Sequence, residues 1–484
     1  MATNLSLYDN TLHSLKEDSE KQNPGIQRRI KKLDIKKLDF EKLRRCSDVL
    51  NAKLHDKDFL KQNLYFFGEN YEHNTTDDLL KVLGWNDDNY IIETGNLVGF
   101  ISTEEFNLDI TSRFGDNFLR YLLHYSDGFL ELSDAGHVGF QGLNEWVLIN
   151  LWKKTLMQAY RLGLPKQYIP QHEKQFTIRG SVDVLDYAIN KGKDGKILCH
   201  FYQHDYNNSV TQIIAHTFSK LGNKPMLRDC LQLRNAFENC VAGKKVSLDA
   251  CLRTKPITNP YYAEYNKVIW LSKKILMRQC GNLKDSGDAS SSFLFDMSML
   301  FEYFIRKVLL EGGLSLFPKN DGSMTISRGL GKNDDRHLYP DIIIDRGEDC
   351  EGKRWIDVYD VKYKYFNTEK GIKREDLFQL HTYVSYLSND YRIRSCGIIY
   401  PQEGEEIAGT ENILRHPDYK EGIPLRVVFL NIPTTDKVVS EEPKKGRGTS
   451  NKASEATAAE KYKEQMENYK NKFLENLRSL PNCE

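Results

Sequence analysis

The chain contains no CxxC pair, and its nine cysteines stand apart. Their number is odd, so neither a zinc ribbon nor a disulfide framework is expected. No apolar run approaches the ~20 residues that a membrane span requires. The opening MATNLSLYDNTLHSLKEDSEKQ is polar and lacks the apolar centre of a secretion signal. There is no GxxxxGK[ST] motif, which argues against P-loop hydrolysis of ATP or GTP. Net charge is missing as well, because 68 basic residues balance 68 acidic ones. Any nucleic-acid grip must then come from local patches or from a partner. These absences together describe a soluble protein of a reducing cytoplasm, with no membrane association.

What is present is enough for several cores. A length of 484 residues implies more than one domain, and 40% hydrophobic with 11% aromatic residues excludes a disordered chain. Residues 1–60 are charge-rich, with helical spacing at Leu33, Leu38, Leu43 and Leu50, and read as a solvated helical extension. Its basic run Arg28, Arg29, Lys31, Lys32, Lys36 and Lys37 reads as a solvated face. NYIIETGNLVGFI and FNLDITSRF predict short strands, and DNFLRYLLHYS a helix. A longer helix is expected over 143–161, strand and turn over 175–190, and helices over 208–221 and 258–280. Residues 281–291 read as a linker, followed by an amphipathic helix FLFDMSMLFEYFIRKVLL. Strands are expected near 337–345, 354–365, 394–400 and 424–430, with a helix over 374–388. Beyond 433 the chain is low-complexity and charged, with a lone helix near 456–478 placed outside the fold.

The chemistry concentrates in WIDVYDVKYKYF. On a strand, Asp360 and Lys362 share one face and Val361 takes the other. A carboxylate that holds Mg²⁺ and an ammonium that orients water can thus address one small volume. The spelling D-x-K recurs at Asp34-Ile35-Lys36 and Asp194-Gly195-Lys196, so only its surroundings give the triplet meaning. Upstream, LYPDIIID places Asp341 in a run that reads as a buried strand, where an acid is costly unless paired. Mg²⁺ takes oxygen ligands and often only one or two carboxylates. Downstream, Gln379 and Tyr383 are four apart on REDLFQLHTYVSYL, so they share a helix face.

The order Pro340-Asp341, Asp360-Val361-Lys362, Gln379-xxx-Tyr383 resembles the PD-(D/E)XK nucleases, in the branch with RecB-like Q-xxx-Y helices. The resemblance implies catalytic roles for Asp341, Asp360, Lys362, Gln379 and Tyr383, with Asp341 and Asp360 as metal ligands. It also implies a helix before the first catalytic strand that presents a glutamate to the metal. Glu302 is the candidate, and an ion pair with Arg306 is the competing reading. Mg²⁺ is the implied cofactor, with Mn²⁺ as a substitute.

Over roughly 90–430 the chain resembles McrC, the nuclease subunit of McrBC restriction systems. FDMSMLFEYF, GNLVGFI with LDITSRFGDNFLRYLL, NNSVTQIIAHTFSKL and Arg179-Gly180-Ser181-Val182-Asp183 carry the likeness, the last with Ser181 in place of a second arginine. The implied fold class is mixed, α+β or α/β. It comprises a 1–60 extension, a β-rich partner-docking domain (61–140), a mostly helical middle region (141–285), a PD-(D/E)XK nuclease domain with a mixed central sheet (286–433), and a charged tail (434–484). The implied partners are double-stranded DNA and a McrB-like AAA+ GTPase hexamer that docks near residues 60–130, with Asn96–Phe114 as the favoured contact. The implied function is Mg²⁺-dependent endonuclease action in anti-phage defence. A free-standing RecB-like exonuclease or repair nuclease shares the motifs, and a non-catalytic adaptor shares the fold.

Overall fold

The computed structural model describes residues 3–14, 30–32, 40–54, 64–65, 78–86, 89–102, 106–127, 143–190, 194–241, 246–280, 292–318, 324–327, 336–403, 410–434 and 451–479. Leu33, Leu38, the cations 28, 29, 36 and 37, and the 281–291 linker lie outside them. The chain forms two compact units, 1–143 with 293–484, and 144–292.

The first unit begins with β1 (Thr3–Tyr8), β2 (Leu12–Ser14), β3 (Ile30–Lys32), α1 (Phe40–Leu54), β4 (Leu64–Tyr65), β5 (Leu80–Asn86), β6 (Asn89–Thr94), β7 (Leu97–Ser102), β8 (Phe106–Thr111) and α2 (Asp116–Asp127). The start of the chain departs from the helical expectation. β1 lies parallel to β8 and buries Leu5 and Leu7, the apolar positions of its period-two alternation. The charge around it masks that short signal. Leu43 and Leu50 do lie on the buried stripe of a helix, α1. The segment Asn96–Phe114, expected to meet a partner, is mostly core: Leu97, Val98, Phe100, Ile101, Phe106, Leu108, Ile110 and Phe114 are all buried. Its apolar alternation serves internal packing.

The second unit contains α3 (Leu143–Tyr160), β9 (Gln167–Gln175), β10 (Ser181–Val182), α4 (Val184–Asn190), β11 (Ile197–Asp205), α5 (Ser209–Leu221), α6 (Leu231–Val241), α7 (Leu248–Leu252) and α8 (Tyr265–Cys280). Its helices are joined by a sheet of order β10-β11-β9 that a mostly helical reading omits. Asn208 caps α5 by accepting from the backbone of Val210 and Thr211, while Thr211 returns the contact.

The chain then returns to the first unit with β12 (Ser292–Asp296), α9 (Met297–Glu311), β13 (Ser315–Leu316), β14 (Met324–Ser327), β15 (Arg336–Leu338), β16 (Ile342–Glu348), β17 (Arg354–Val361), α10 (Arg374–Leu387), β18 (Arg392–Glu403), β19 (Thr410–His416), β20 (Tyr419–Ile432) and α11 (Asn451–Arg478). The expected helix from Phe293 begins later. Ser292–Asp296 is a fully buried strand in the sheet β1-β8-β7-β12-β4, and the Asp296 carboxylate caps α9 through Ser298 N and Met299 N. Gly99 permits this pairing, since a Cβ there would stand 2.0 Å from the Phe293 carbonyl oxygen.

The largest sheet has the order β13-β16-β17-β18-β20-β19. Its centre, β17-β18-β20, is parallel, and the three outer pairs β13-β16, β16-β17 and β20-β19 are antiparallel. A parallel pair needs a crossover, and α10 supplies the one between β17 and β18. Ile356 and Val358 of β17 and Leu425, Val427 and Phe429 of β20 share a core with Leu380, Tyr383 and Val384 of α10. Arg426, of opposite parity on β20, donates to Asn476 O of α11 at 2.8 Å. Helices therefore cover both faces.

The last helix also corrects the sequence reading. It is longer than expected and belongs to the fold, with Tyr462, Met466, Phe473 and Leu477 buried. Arg346 adds a bond to Leu477 O at 2.9 Å, and Tyr121 of α2 donates to Glu467 at 2.7 Å. So few apolar positions among so many charges concealed the stripe. Phe473→Ala is expected to cost about 3–5 kcal/mol in chemical denaturation. An unchanged midpoint would return the helix to solvent.

Candidate active site

The site is built at one end of β17. Asp357 and Asp360 lie on the same strand, both fully buried, but on opposite faces. Asp357 faces cations. Arg346 Nε lies 2.7 Å from its Oδ2, and Arg394 donates to Oδ1 at 2.9 Å and to Oδ2 at 2.6 Å. The β17–β18 register slips at Ile356/Asp357, leaving Arg394 as the unpaired residue whose guanidinium reaches that carboxylate. This aspartate is saturated.

Asp360 is the opposite case. It shares the face of Ile356 and Val358, towards α10, and among the described residues no guanidinium is bonded to it as two are to Asp357. Its one close countercharge is the Lys362 ammonium, 2.9 Å from Oδ2 as an ion pair. Burial first, and then the charge of Asp341, pushes its carboxyl up to about 7. Ile342 pairs with Tyr359 across β16 and β17, so one further step sets Asp341 opposite Asp360. Asp341 accepts from Val361 N at 2.8 Å, while Arg306 holds the Asp341 carbonyl at 2.6 Å and Phe317 O at 3.0 Å. Two carboxylates directly opposed across strands repel each other.

Lys362 follows the last residue of β17, and its backbone N–H still bonds Ile399 O at 2.9 Å. Its ammonium donates to Gln379 Oε1 at 2.9 Å, and Gln379 Nε2 donates to the Tyr383 hydroxyl at 2.6 Å. Burial opposes the Lys362 charge, yet Asp360, Asp341 and Asp376 together hold its pKa above the ordinary lysine value. The Tyr383 phenol is held far above its usual range by burial, Asp341 and Asp360, so it stays neutral. The structure thus joins Asp360, Lys362, Gln379 and Tyr383 in one chain of contacts and sets Asp341 beside it. Glu302 is buried on α9, close enough for its charge to act on Tyr383. Among the described residues, no three His, Cys, Asp or Glu side chains gather as a metal group.

Two neighbours escaped the sequence reading. Lys364 forms an ion pair with Asp376, which is buried in the first turn of α10. Burial lowers the Lys364 pKa, partly offset by Asp376. The signals were available: Lys364 continues the alternation of 360 and 362, and Asp376 lies three residues before Gln379.

Residues 92–401 match the protein family described as "McrBC 5-methylcytosine restriction system component". The chain belongs to this McrBC family. The matched span runs from β6 into β18 and holds all six candidate residues, while β1, β19, β20 and α11 fall outside it. No curated protein matches. Among solved structures, the chain is similar to the refined half-complex from a tetradecameric assembly of Thermococcus gammatolerans McrB AAA+ hexamers with bound McrC. The identity is 15%, covering 95% of this chain and 100% of that one, with a TM-score of 0.46. It is also similar to a chain of the Thermococcus gammatolerans McrBC complex, at 18% identity over 66% of this chain and 90% of that one, with a TM-score of 0.33. Among the described residues, no helix of this McrBC member is long and apolar enough to cross a membrane.

The raised Asp360 pKa makes stability depend on pH. The folded state holds this proton more tightly than the unfolded one. Stability therefore falls as pH rises from the ordinary value of 3.8 to about 7, and the penalty persists above that. With EDTA present, Asp360→Asn should be more stable than the wild type at pH 8, and the difference should shrink towards pH 4. A pH-independent difference would contradict this electrostatic account.

Proposed function

We propose that the chain is the nuclease subunit, the McrC component, of a McrBC-type restriction complex. On this reading the sheet β16–β20 with α10 is a PD-(D/E)XK core, and the enzyme is a metal-dependent endodeoxyribonuclease acting on double-stranded DNA. The observation that carries it is the fully buried Asp360 carboxylate, with Asp341 opposite and the Lys362 ammonium 2.9 Å away. A fold has no use for such a charge, and the saturated Asp357 on the same strand supplies the contrast.

An all-oxygen donor pair fits Mg²⁺, with Mn²⁺ as its substitute, and Asp341 and Asp360 would hold it. When bound, the cation neutralises phosphate charge and makes water more acidic. The protein contributes the rest. Lys362 offers a fixed ammonium to the phosphate and to the attacking water. Gln379 fixes the direction of that ammonium, and the neutral Tyr383 holds the amide of Gln379.

The partner proposed is a McrB-like AAA+ GTPase hexamer. Membership of the McrBC family supports it, as do zero net charge and the lack of a P-loop motif, since DNA grip and nucleotide turnover then fall to another subunit.

Asp341→Ala, Asp360→Ala and Lys362→Ala should each lower cleavage on the order of 10³-fold or more, about 4 kcal/mol of transition-state stabilisation, without lowering the melting temperature. Gln379→Ala should slow cutting more than it lowers stability. The assay combines the full chain with the P-loop protein of its neighbouring gene, GTP, Mg²⁺ and double-stranded DNA. Wild-type cutting by folded Asp360→Ala would end the nuclease assignment. Efficient cutting by the chain alone would replace the motor-driven reading with a free-standing nuclease.

A further inference from the structure

Lys362 sits where the β-ladder stops. β17 ends at Val361, and Lys362 keeps one backbone bond to the sheet, to Ile399 O. The next residue, Tyr363, is buried and tied elsewhere. Its hydroxyl lies 3.0 Å from Ser112 Oγ, and its carbonyl accepts from Arg113 Nη2. The Arg113 guanidinium also stacks over the Tyr363 ring at 4.3 Å and flanks Phe114 at 5.2 Å and Tyr365 at 5.3 Å. Nη1 reaches Asn10 O at 3.5 Å, while Arg113 N donates to Asp9 Oδ1 at 2.6 Å. Phe301, next to Glu302, packs on Tyr363 from α9 at 5.6 Å.

We propose that Arg113 is a positioning residue for Lys362: by clamping the carbonyl and ring of Tyr363 it fixes the segment that carries the site ammonium. The inference rests on the nuclease reading for its activity assay but not for its geometry. Three observations support it. Arg113 is buried, and a guanidinium is a costly filler for an aromatic pocket that an apolar side chain would fill more cheaply. Its contacts combine a planar fork with ring stacking, which an ammonium cannot reproduce. It acts on the residue immediately after Lys362, just beyond the end of β17. Arg113 itself is anchored by Asp9, whose N–H bonds Thr111 O at 2.8 Å, so the clamp reaches Lys362 from the β1–β8 pair.

The test uses the full chain with its AAA+ partner and two variants, Arg113→Ala and the gentler Arg113→Lys. A misplaced ammonium costs on the order of 10²-fold in turnover. The expected result for both variants is that loss in kcat, with KM for DNA and the half-saturating Mg²⁺ concentration unchanged. Lysine acylation read by mass spectrometry gives an independent readout without metal or DNA. Labelling of Lys362 should rise in both variants, while that of Lys153 in the other unit stays constant. If either variant folds with wild-type Lys362 labelling and wild-type kcat, the proposal is overturned even though the nuclease reading stands. If the wild type fails to cut but Lys362 labelling still rises, the nuclease reading falls and the clamp survives.

Discussion

Two carboxylates cannot face one another in a dry pocket without a countercharge. The candidate site of this protein is arranged around that constraint. The antiparallel register of β16 and β17 leads Asp341 opposite Asp360, which is fully buried while Asp341 is half-buried. One ammonium, Lys362, stands against them, itself steadied by an amide from the crossover helix. The parallel pairing of β17 and β18 requires that helix, so the topology of the sheet delivers Gln379 and Tyr383 to the carboxylates.

β17 also shows how one strand separates stability from chemistry. Towards α11, Asp357 is locked by two guanidinium groups, and Arg346 extends the network to Leu477 O of that helix. Towards α10, Asp360 is left open. The two aspartates differ by three positions and therefore by face: Asp357 meets guanidinium groups from β16 and β18, and Asp360 the ammonium of Lys362. The closed network supports the strand on which the open carboxylate is displayed.

The local signals at the site were legible in the sequence because they are short and periodic. The i,i+2 spacing of Asp360 and Lys362 on a strand and the i,i+4 spacing of Gln379 and Tyr383 on a helix each fix a shared face without tertiary knowledge. The Ile-rich run marked the strand, although Asp341 itself is half-buried and precedes β16 by one residue. Other features were hidden by composition or by distance along the chain. Leu5 and Leu7 give a two-point alternation amid polar residues, and α11 has a thin apolar stripe within a charged segment. β12 is read as the start of α9 until Asp296 is seen capping the helix. Arg113 lies 250 residues from Tyr363, and nothing local to either residue announces the contact.

The central claim is that Asp341 and Asp360 together hold a divalent cation. Titration of the full chain with Mn²⁺, followed by electron paramagnetic resonance, tests it most directly. The account predicts a saturable site in the wild type that is lost in both Asp341→Asn and Asp360→Asn. Titrations of the two folded variants that overlay the wild type would contradict it.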